Sequence, residues 1–457
     1  MKTITSYPTL LILTTLSFIP TLFYYYVGEE AVYTISSIEM WQNQNFFSTS
    51  LYGQAYGRPP LFNWIMIPIT LLTGWDNILI ASRIVTVTAT LSTGFILAWL
   101  AQQLWHHKII SWTTIILYLI TADVALYRGW LSYADPLFSM FIVLSVALIW
   151  ASCLRQSYIM LFTAIFIAFA AFLTKTLTVY VFIGISILVL FENNNYRRFL
   201  LNPRALVIYI CAILLPVIWL KYGTESIQLH DATSRIDFKD TANFLLRSLK
   251  YLVEILLRTM PASLFIGYFL LYKREILLNN PAVRTSLLIA GLNLLPFLFA
   301  GQGFARYVLP IYPFIVLPAS YLVVQNTNPF NIKKWLIVIL IIESILKVFA
   351  FPYYQKTVRG KNHFQMAQEI VSKFNQYPLY IKSDTSIALS IAAYIDIIRL
   401  HHPAITRPPI DLKDGIVIAA IAEGFVGQLL KPITFNGYSV YLICRGSACN
   451  TQSLIKP

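Results

Sequence analysis

Two adjacent carboxylates, Glu29 and Glu30, sit in the stretch YYYVGEEAVYTISSIEMWQNQN (residues 24–45), at the end of the first long apolar run. Other ionisable residues interrupt apolar surroundings: Arg58 in YGRPPLFNW, Asp135 in SYADPLF, Lys175 in AFLTKTLTVY and Arg306 in GQGFARYVLPIYP. Charged groups are costly at membrane depth and are usually functional where they persist. Two prolines after Arg58 fix the backbone and remove donors, so its side chain is presented from a stiff turn. Lys175 lies between two apolar halves without turn residues, an expensive place for an ammonium unless an anion meets it. Two glycines before Arg306 allow close backbone approach. Three cations and several carboxylates of this kind suit an anionic lipid headgroup held by Lys and Arg, with acid or base chemistry beside it.

Each residue also has a purely structural alternative. Glu29 or Glu30 would favour the N-terminus of the following helix, and Arg58 and Lys175 would snorkel to headgroups. Asp135, followed by Pro136, would start a helix, and Arg306 would anchor one at the interface. Glu343 and Lys347, four residues apart, read as an internal ion pair. His106 and His107 fall on the opposite side from the other charges, and no His or Cys cluster argues for a metal.

The elements that must position these residues are membrane helices. The chain has 457 residues, of which 57% are hydrophobic and only 12% charged, whereas soluble domains carry about 25% charged residues. Apolar runs fit for a bilayer core of about 30 Å recur near 8–27, 78–104, 109–126, 134–153, 157–174, 176–191, 206–222, 259–273, 284–300, 306–325 and 333–351. The sequence therefore predicts an α-helical polytopic membrane protein with about 11 to 13 spans. The first run is too long, and its flanks too aromatic, for a cleaved signal peptide, so it is expected to remain as an anchor.

Short connections on one side carry Lys108, Arg197, Arg198, Arg204, Lys273, Arg274, Arg284, Lys333 and Lys334, while those on the other carry mainly Arg128, Lys175 and Arg306. By the positive-inside tendency the N-terminus is cytoplasmic and the C-terminal tail extracytoplasmic. Glu29, Glu30, Arg58, Asp135, Lys175 and Arg306 then all lie at the outer face, as a single site requires. The net charge of +14 points in this setting to cytoplasmic anchoring and to anionic lipid or phosphate partners rather than nucleic acid.

Residues 1–351 form the expected membrane domain. Its first outer loop, 28–77, carries two interfacial helices. In AVYTISSIEMW, Val32, Ile35, Ile38 and Trp41 share one helical face, as for a helix lying along the membrane surface. PPLFNWIMIPITLLTGW, interrupted by Pro68, reads as a second interfacial or re-entrant helix. Residues 223–258 make another outer loop, where NFLLRSLKYLVEILLR is either a separate interfacial helix or an extension of the next span. Residues 352–457 have the composition of a small extracytoplasmic α/β domain, with strands in PLYIKSD, GIVIAAIAE and SVYLICR and a helix in FQMAQEIVSKF. Cys153 and Cys211 read as packing residues, whereas Cys444 and Cys449 are either disulfide-bonded or free thiols in the outer tail.

The order of these features resembles the GT-C glycosyltransferases: an acidic pair after the first span, an amphipathic helix, YGRPPLFNW, an acid opening the fourth span, LTKT and RYVLPIYP. Within them it is most similar to the branch containing the lipid A 4-amino-4-deoxy-L-arabinose transferases and the protein O-mannosyltransferases. The likeness covers roughly residues 20–350 and is strongest from Gly28 to Trp64. Family members usually have Asp-Glu in the first outer loop, and Glu29 takes the position of the Asp regarded as catalytic. Bacterial members usually have Lys before Pro-Pro-Leu, where Arg58 keeps the charge and offers a bidentate fork.

The resemblance implies catalytic roles for Glu29, Asp135 and Glu30, carrier-phosphate binding by Arg58, Lys175 and Arg306, and substrate contacts from Tyr33, Tyr56, Arg128 and Tyr307. It implies inverting transfer of a sugar from a polyprenyl (undecaprenyl) phosphate donor to an outer-leaflet acceptor, lipid A or a related glycolipid, in a bacterial inner membrane. No cofactor is required, and a divalent metal beside the acidic residues stays open. The alternatives are transfer to a polypeptide hydroxyl, as by the protein O-mannosyltransferases, and, in other classes, a secondary transporter of an anionic substrate or a lipid-binding scaffold. Against a transporter, the chain shows neither two similar halves nor ionisable residues in both leaflets.

Overall fold

The structure, a computed structural model, describes residues 6–175, 177–222, 241–272, 275, 279–299, 305–357, 361–419, 427–430, 433–435 and 438–449. Residues 223–240, Lys273, Arg274 and the glycines that precede Arg306 lie outside them.

Seven helices among the described residues are long and apolar enough to cross a bilayer: Trp75–Trp105, Ala134–Arg155, Tyr158–Lys175, Pro203–Lys221, Pro281–Leu298, Arg306–Asn326 and Pro329–Thr357. Leu246–Arg258 and Ala262–Tyr272, bent by 108°, make an eighth if counted as one span. This is fewer than the expected 11 to 13, because three of the expected spans, Tyr7–Phe23, Lys108–Leu119 and Thr178–Leu190, are shorter helices. Lys108–Leu119, for example, closes early and gives way to a π-turn at Val124–Arg128. The bend also bears on the two readings of NFLLRSLKYLVEILLR. It belongs to a helix of its own, Thr241–Arg258, rather than to an extension of the next one.

The chain divides into two compact units, Met1–Ile19 with Thr86–Lys347, and Pro20–Val85 with Val348–Pro457. Residues 28–77, assigned from sequence to the membrane domain, are thus part of the same unit as the C-terminal segment.

In the first unit, Ala134–Arg155 and Tyr158–Lys175 form an antiparallel hairpin, reversed at Gln156 in the left-handed conformation (φ 53°). At about 1.5 Å per residue the two helices are of similar length. Ser145 donates to the Ala164 carbonyl at 2.9 Å, a register that brings Asp135, in the first turn of one helix, level with Lys175, in the last turn of the other. Each charge also opposes the partial charge of its own helix end. Elsewhere in this unit, Lys347 donates to Ser17 Oγ at 3.1 Å and lies 4.0 Å over the Phe18 ring. Glu343 acts on Lys347 electrostatically.

In the second unit, strands Leu379–Ile381, Gly415–Ala419 and Tyr438–Arg445 pair in that order, the first two parallel and the second two antiparallel. Gln428–Leu429 and Ile433–Phe435 also pair with Tyr438–Arg445. A continuous core joins Ile381, Ile416, Ile418 and Leu442 of this sheet, Ile391 and Ile395 of helix Ser386–Ile398, and Val32 and Ile35 of helix Ala31–Gln42. Cys444 and Cys449 form a disulfide, while Cys153 and Cys211 are free.

Helix Ala31–Gln42 departs from the expected surface helix. Every residue from Ala31 to Met40 is buried, because its polar side also has partners. Tyr26 donates to Thr34 Oγ1 at 2.9 Å, Asn63 donates to Ser37 Oγ at 2.7 Å, and Ser50 hydrogen-bonds Glu39. The second helix of the loop, Leu61–Thr73, runs through Pro68 without a break.

Candidate functional site

The structure gathers the expected site residues in two sets, one in each unit.

The set in the first unit centres on Asp135, which is buried and ion-paired to Lys175. Arg128 and Arg306 also act electrostatically on the same carboxylate. Tyr307 joins the group beneath the ammonium, its ring 4.4 Å from Lys175 Nζ and 5.3 Å from the Arg306 guanidinium. Phe138 offers Lys175 a second ring at 5.5 Å. The Arg128 guanidinium lies 4.6 Å over Tyr127 and 5.5 Å over Tyr133, and its buried Nε has no hydrogen-bond partner among the described residues. Three cations act on this one carboxylate, Asp123 also acts on Arg128, and the aromatic faces hold cations without neutralising them. Such a group is suited to an anion, and to one with several oxygens above all.

A neighbouring network was not legible in the sequence. Asp123, 3% exposed, accepts from Arg258 Nη1 at 2.5 Å and from the Tyr312 hydroxyl at 3.0 Å. The Ala122 amide donates to the Met260 carbonyl at 2.8 Å. Together these bonds tie the start of the 121–133 connection, which carries Arg128, to the bend after Arg258. The only sequence signal for Asp123 was its own charge in an apolar stretch.

The set in the second unit is built on residues 28–77. Gly28 takes φ +63°, a conformation that costs glycine little, and the chain turns there into helix Ala31–Gln42. Glu29 is exposed at this turn. Arg58 donates from Nη1 to the Tyr33 hydroxyl at 3.2 Å, and its guanidinium lies 5.0 Å over the Tyr56 ring. Its backbone is clamped by Thr49, whose hydroxyl donates to the Arg58 carbonyl at 2.7 Å. The stiff presentation expected from the two prolines is thus reinforced by a hydrogen bond, and Tyr33, Tyr56 and Arg58 come together.

Glu30 is placed differently from its expected catalytic role. It is fully buried and ion-paired to Arg83 at 2.7 Å, so its carboxylate is turned into the protein. The capping alternative is not realised either. Glu30 occupies the N-cap position without a side-chain cap bond, and instead accepts from the Val27 amide at 2.7 Å.

The same unit contains a cavity of about 450 Å³ lined by Glu39, Gln42, His401, His402 and Thr406 among others, which includes none of the expected site residues. Burial pushes the Glu39 carboxyl above its ordinary range, against hydrogen bonds from Ser50 and the Gly53 amide. No group of three or more His, Cys, Asp or Glu side chains able to hold a metal occurs among the described residues.

No protein-family model and no curated protein sequence matches the chain. Solved structures do. The crystal structure of ArnT from Cupriavidus metallidurans bound to undecaprenyl phosphate is similar at a TM-score of 0.68 and 13% identity, over 98% of this chain and 98% of that one. The apo state of the same protein is similar at a TM-score of 0.65 and 13% identity, over 98% and 97%. The archaeal oligosaccharyltransferase AglB from Archaeoglobus fulgidus, in complex with an inhibitory peptide and a dolichol-phosphate, is similar at 0.51 and 10% identity, over 91% of this chain and 69% of that one. At these identities the likeness establishes the fold alone, which this chain shares with ArnT and AglB.

Proposed function

We propose that this chain, with its GT-C glycosyltransferase fold, is an integral-membrane enzyme that moves a sugar from a polyprenyl-phosphate donor to an acceptor at the outer leaflet. The observation that carries this reading is the group of Lys175, Arg128 and Arg306 on Asp135, a multi-donor anion receptor built with Tyr307 at the end of a helix hairpin. Support comes from the similar structure that holds undecaprenyl phosphate, and lipid A is the acceptor we favour.

In this reading the acceptor oxygen attacks the anomeric carbon from the face opposite the carrier, and the bond from that carbon to the phosphate oxygen breaks. Its electron pair stays on the phosphate, so configuration inverts. Arg128, Lys175 and Arg306 stabilise the charge that develops on the departing phosphate, and Arg58 contributes a fourth cation. Asp135 holds Lys175 in position. If the acceptor is a hydroxyl, Glu29 takes its proton as the new bond forms. If it is an already ionised phosphate of lipid A, no proton needs removing, and Glu29 instead positions the acceptor or stabilises positive charge at the anomeric centre. Energy comes from the sugar-phosphate bond, so no cofactor is needed. The site and the C-terminal segment face the periplasm of a bacterial inner membrane.

Mass spectrometry of lipid A from cells with and without the gene tests both acceptor and sugar. A gene-dependent mass increase equal to one sugar residue supports lipid A as acceptor. Unchanged lipid A together with a gene-dependent sugar on a polypeptide moves the acceptor to protein, and loss of neither modification contradicts outer-leaflet transfer.

A further inference from the structure

Arg83 is the most fully engaged cation among the described residues, and no sequence feature singled it out. It stands near the start of helix Ile78–Trp105 with a fully buried side chain. Its Nε donates to Glu30 Oε1 at 2.9 Å and its Nη2 to Glu30 Oε2 at 2.7 Å, the parallel fork of a bidentate pair. Nη1 donates to the Thr21 carbonyl at 3.0 Å and the Tyr24 carbonyl at 2.5 Å, and Nη2 also donates to the Tyr25 carbonyl at 2.9 Å. All five guanidinium donors are therefore used. Glu30 completes the knot by accepting from the Val27 amide at 2.7 Å.

One ion pair thus holds backbone groups of residues 21, 24, 25 and 27, from within the 3-10 helix Ile19–Phe23 through the segment that leads into the turn at Gly28. Only Glu29 at this turn carries an exposed carboxylate. A buried ion pair is weak evidence for stability, since an apolar pair of similar volume often serves as well. An apolar pair could not bind three carbonyls and an amide of an irregular segment, and a lysine has neither five donors nor a planar fork.

We infer that Arg83 and Glu30 are positioning residues that fix the direction in which Glu29 leaves the chain. The inference rests on the proposed role of Glu29 in transfer. Misplacement of a reacting group by about 1 Å can cost on the order of 100-fold in rate, so an anchor that sets one carboxylate has kinetic consequences without touching substrate.

The test compares Arg83→Lys, Glu30→Gln and Glu29→Gln, singly and with Arg83→Lys combined with Glu29→Gln. Each is purified in nanodiscs and assayed for sugar transfer, with rates given per folded molecule. Arg83→Lys and Glu30→Gln are expected to lower kcat at least about tenfold, with the donor KM changed less than about twofold, because the donor anion is bound elsewhere. Arg83→Lys should cost little further on the Glu29→Gln background, because its effect runs through Glu29.

A kcat within about twofold of wild type in both single variants, with Glu29→Gln strongly impaired but measurable, overturns this inference and leaves the role of Glu29 standing. Full turnover by Glu29→Gln overturns that role and the inference together. Losses that multiply in the double variant also overturn it, since they mean that Arg83 acts independently of Glu29. So does failure of both single variants to accumulate, which would assign the pair to folding.

Discussion

Lys175 donates its ammonium to Asp135 Oδ1 across a sequence separation of 40, joining the two ends of a helix hairpin in an ion pair with both members largely buried. Removing one partner of such a pair leaves the other charge without its counterion, which is costly. Asp135→Asn and Lys175→Ala should therefore both abolish most transfer, for different reasons. Lys175→Ala removes a phosphate donor and should raise the donor KM by about 10- to 100-fold, the equivalent of one charge-assisted hydrogen bond. Asp135→Asn should lower kcat through a misplaced ammonium while donor binding persists. Equal effects of the two on donor KM would argue against separate roles.

Arg58 is held by its backbone, through Thr49, and by its side chain, through Tyr33 and Tyr56. Arg58→Ala should weaken donor use by about tenfold or more while expression stays near wild type. Arg58→Lys keeps the charge but loses the fork, so it should recover only part of the loss. Steady-state kinetics with a labelled donor measure both, and a donor KM unchanged in Arg58→Ala would remove this residue from phosphate binding.

Asp396 is buried in the second unit, where one carboxyl oxygen accepts from the Ile405 amide at 2.8 Å and the other has no partner among the described residues. Burial raises its carboxyl well above the ordinary value. An acid raised in the folded state binds more protons folded than unfolded, so its contribution to stability falls as pH rises from the ordinary carboxylate range through the raised value. Asp396→Asn, which resembles the protonated acid, should be close to neutral at pH 4, near the ordinary carboxylate value, and stabilising at pH 8, by more than about 1 kcal/mol. Thermal unfolding at the two pH values checks this, and equal shifts at both would show that its ionisation does not matter.

The Cys444–Cys449 disulfide bears on which side the C-terminal segment occupies, since such bonds persist in oxidising compartments. In sealed spheroplasts, a membrane-impermeant maleimide should label these cysteines after mild reduction and not before. Labelling that requires permeabilisation would put the segment in the cytoplasm.

What the sequence revealed and what it hid follow from the range of the interactions involved. Lys175, Asp135 and Arg306 stood out because a charge in an apolar run is conspicuous whatever its partner. Tyr33 and Tyr56 were implied only by the resemblance, as substrate contacts, and their places beside Arg58 came from the structure. The role of Glu30 could not be read from its neighbours, because its partner Arg83 lies 53 residues away and belongs to a different helix. Asp123 and Arg258 are 135 residues apart, and nothing local marks them as a pair. Spacing put Val32, Ile35, Ile38 and Trp41 on one face of a helix expected along the membrane surface, and it could not show that Thr34, Ser37 and Glu39 are buried in the protein as well, since that depends on partners from distant segments. The expected 11 to 13 spans are not all matched by long helices among the described residues, because hydropathy finds apolar runs but not the turns that shorten them.

The most direct measurement is release of free polyprenyl phosphate from a radiolabelled polyprenyl-phosphate sugar by purified protein with lipid A present. The account predicts acceptor-dependent release by the wild type, sugar recovered on the acceptor with inverted configuration, and at least about tenfold less release by Lys175→Ala. Movement of the intact donor without bond cleavage, or release unaffected by Lys175→Ala, would contradict it.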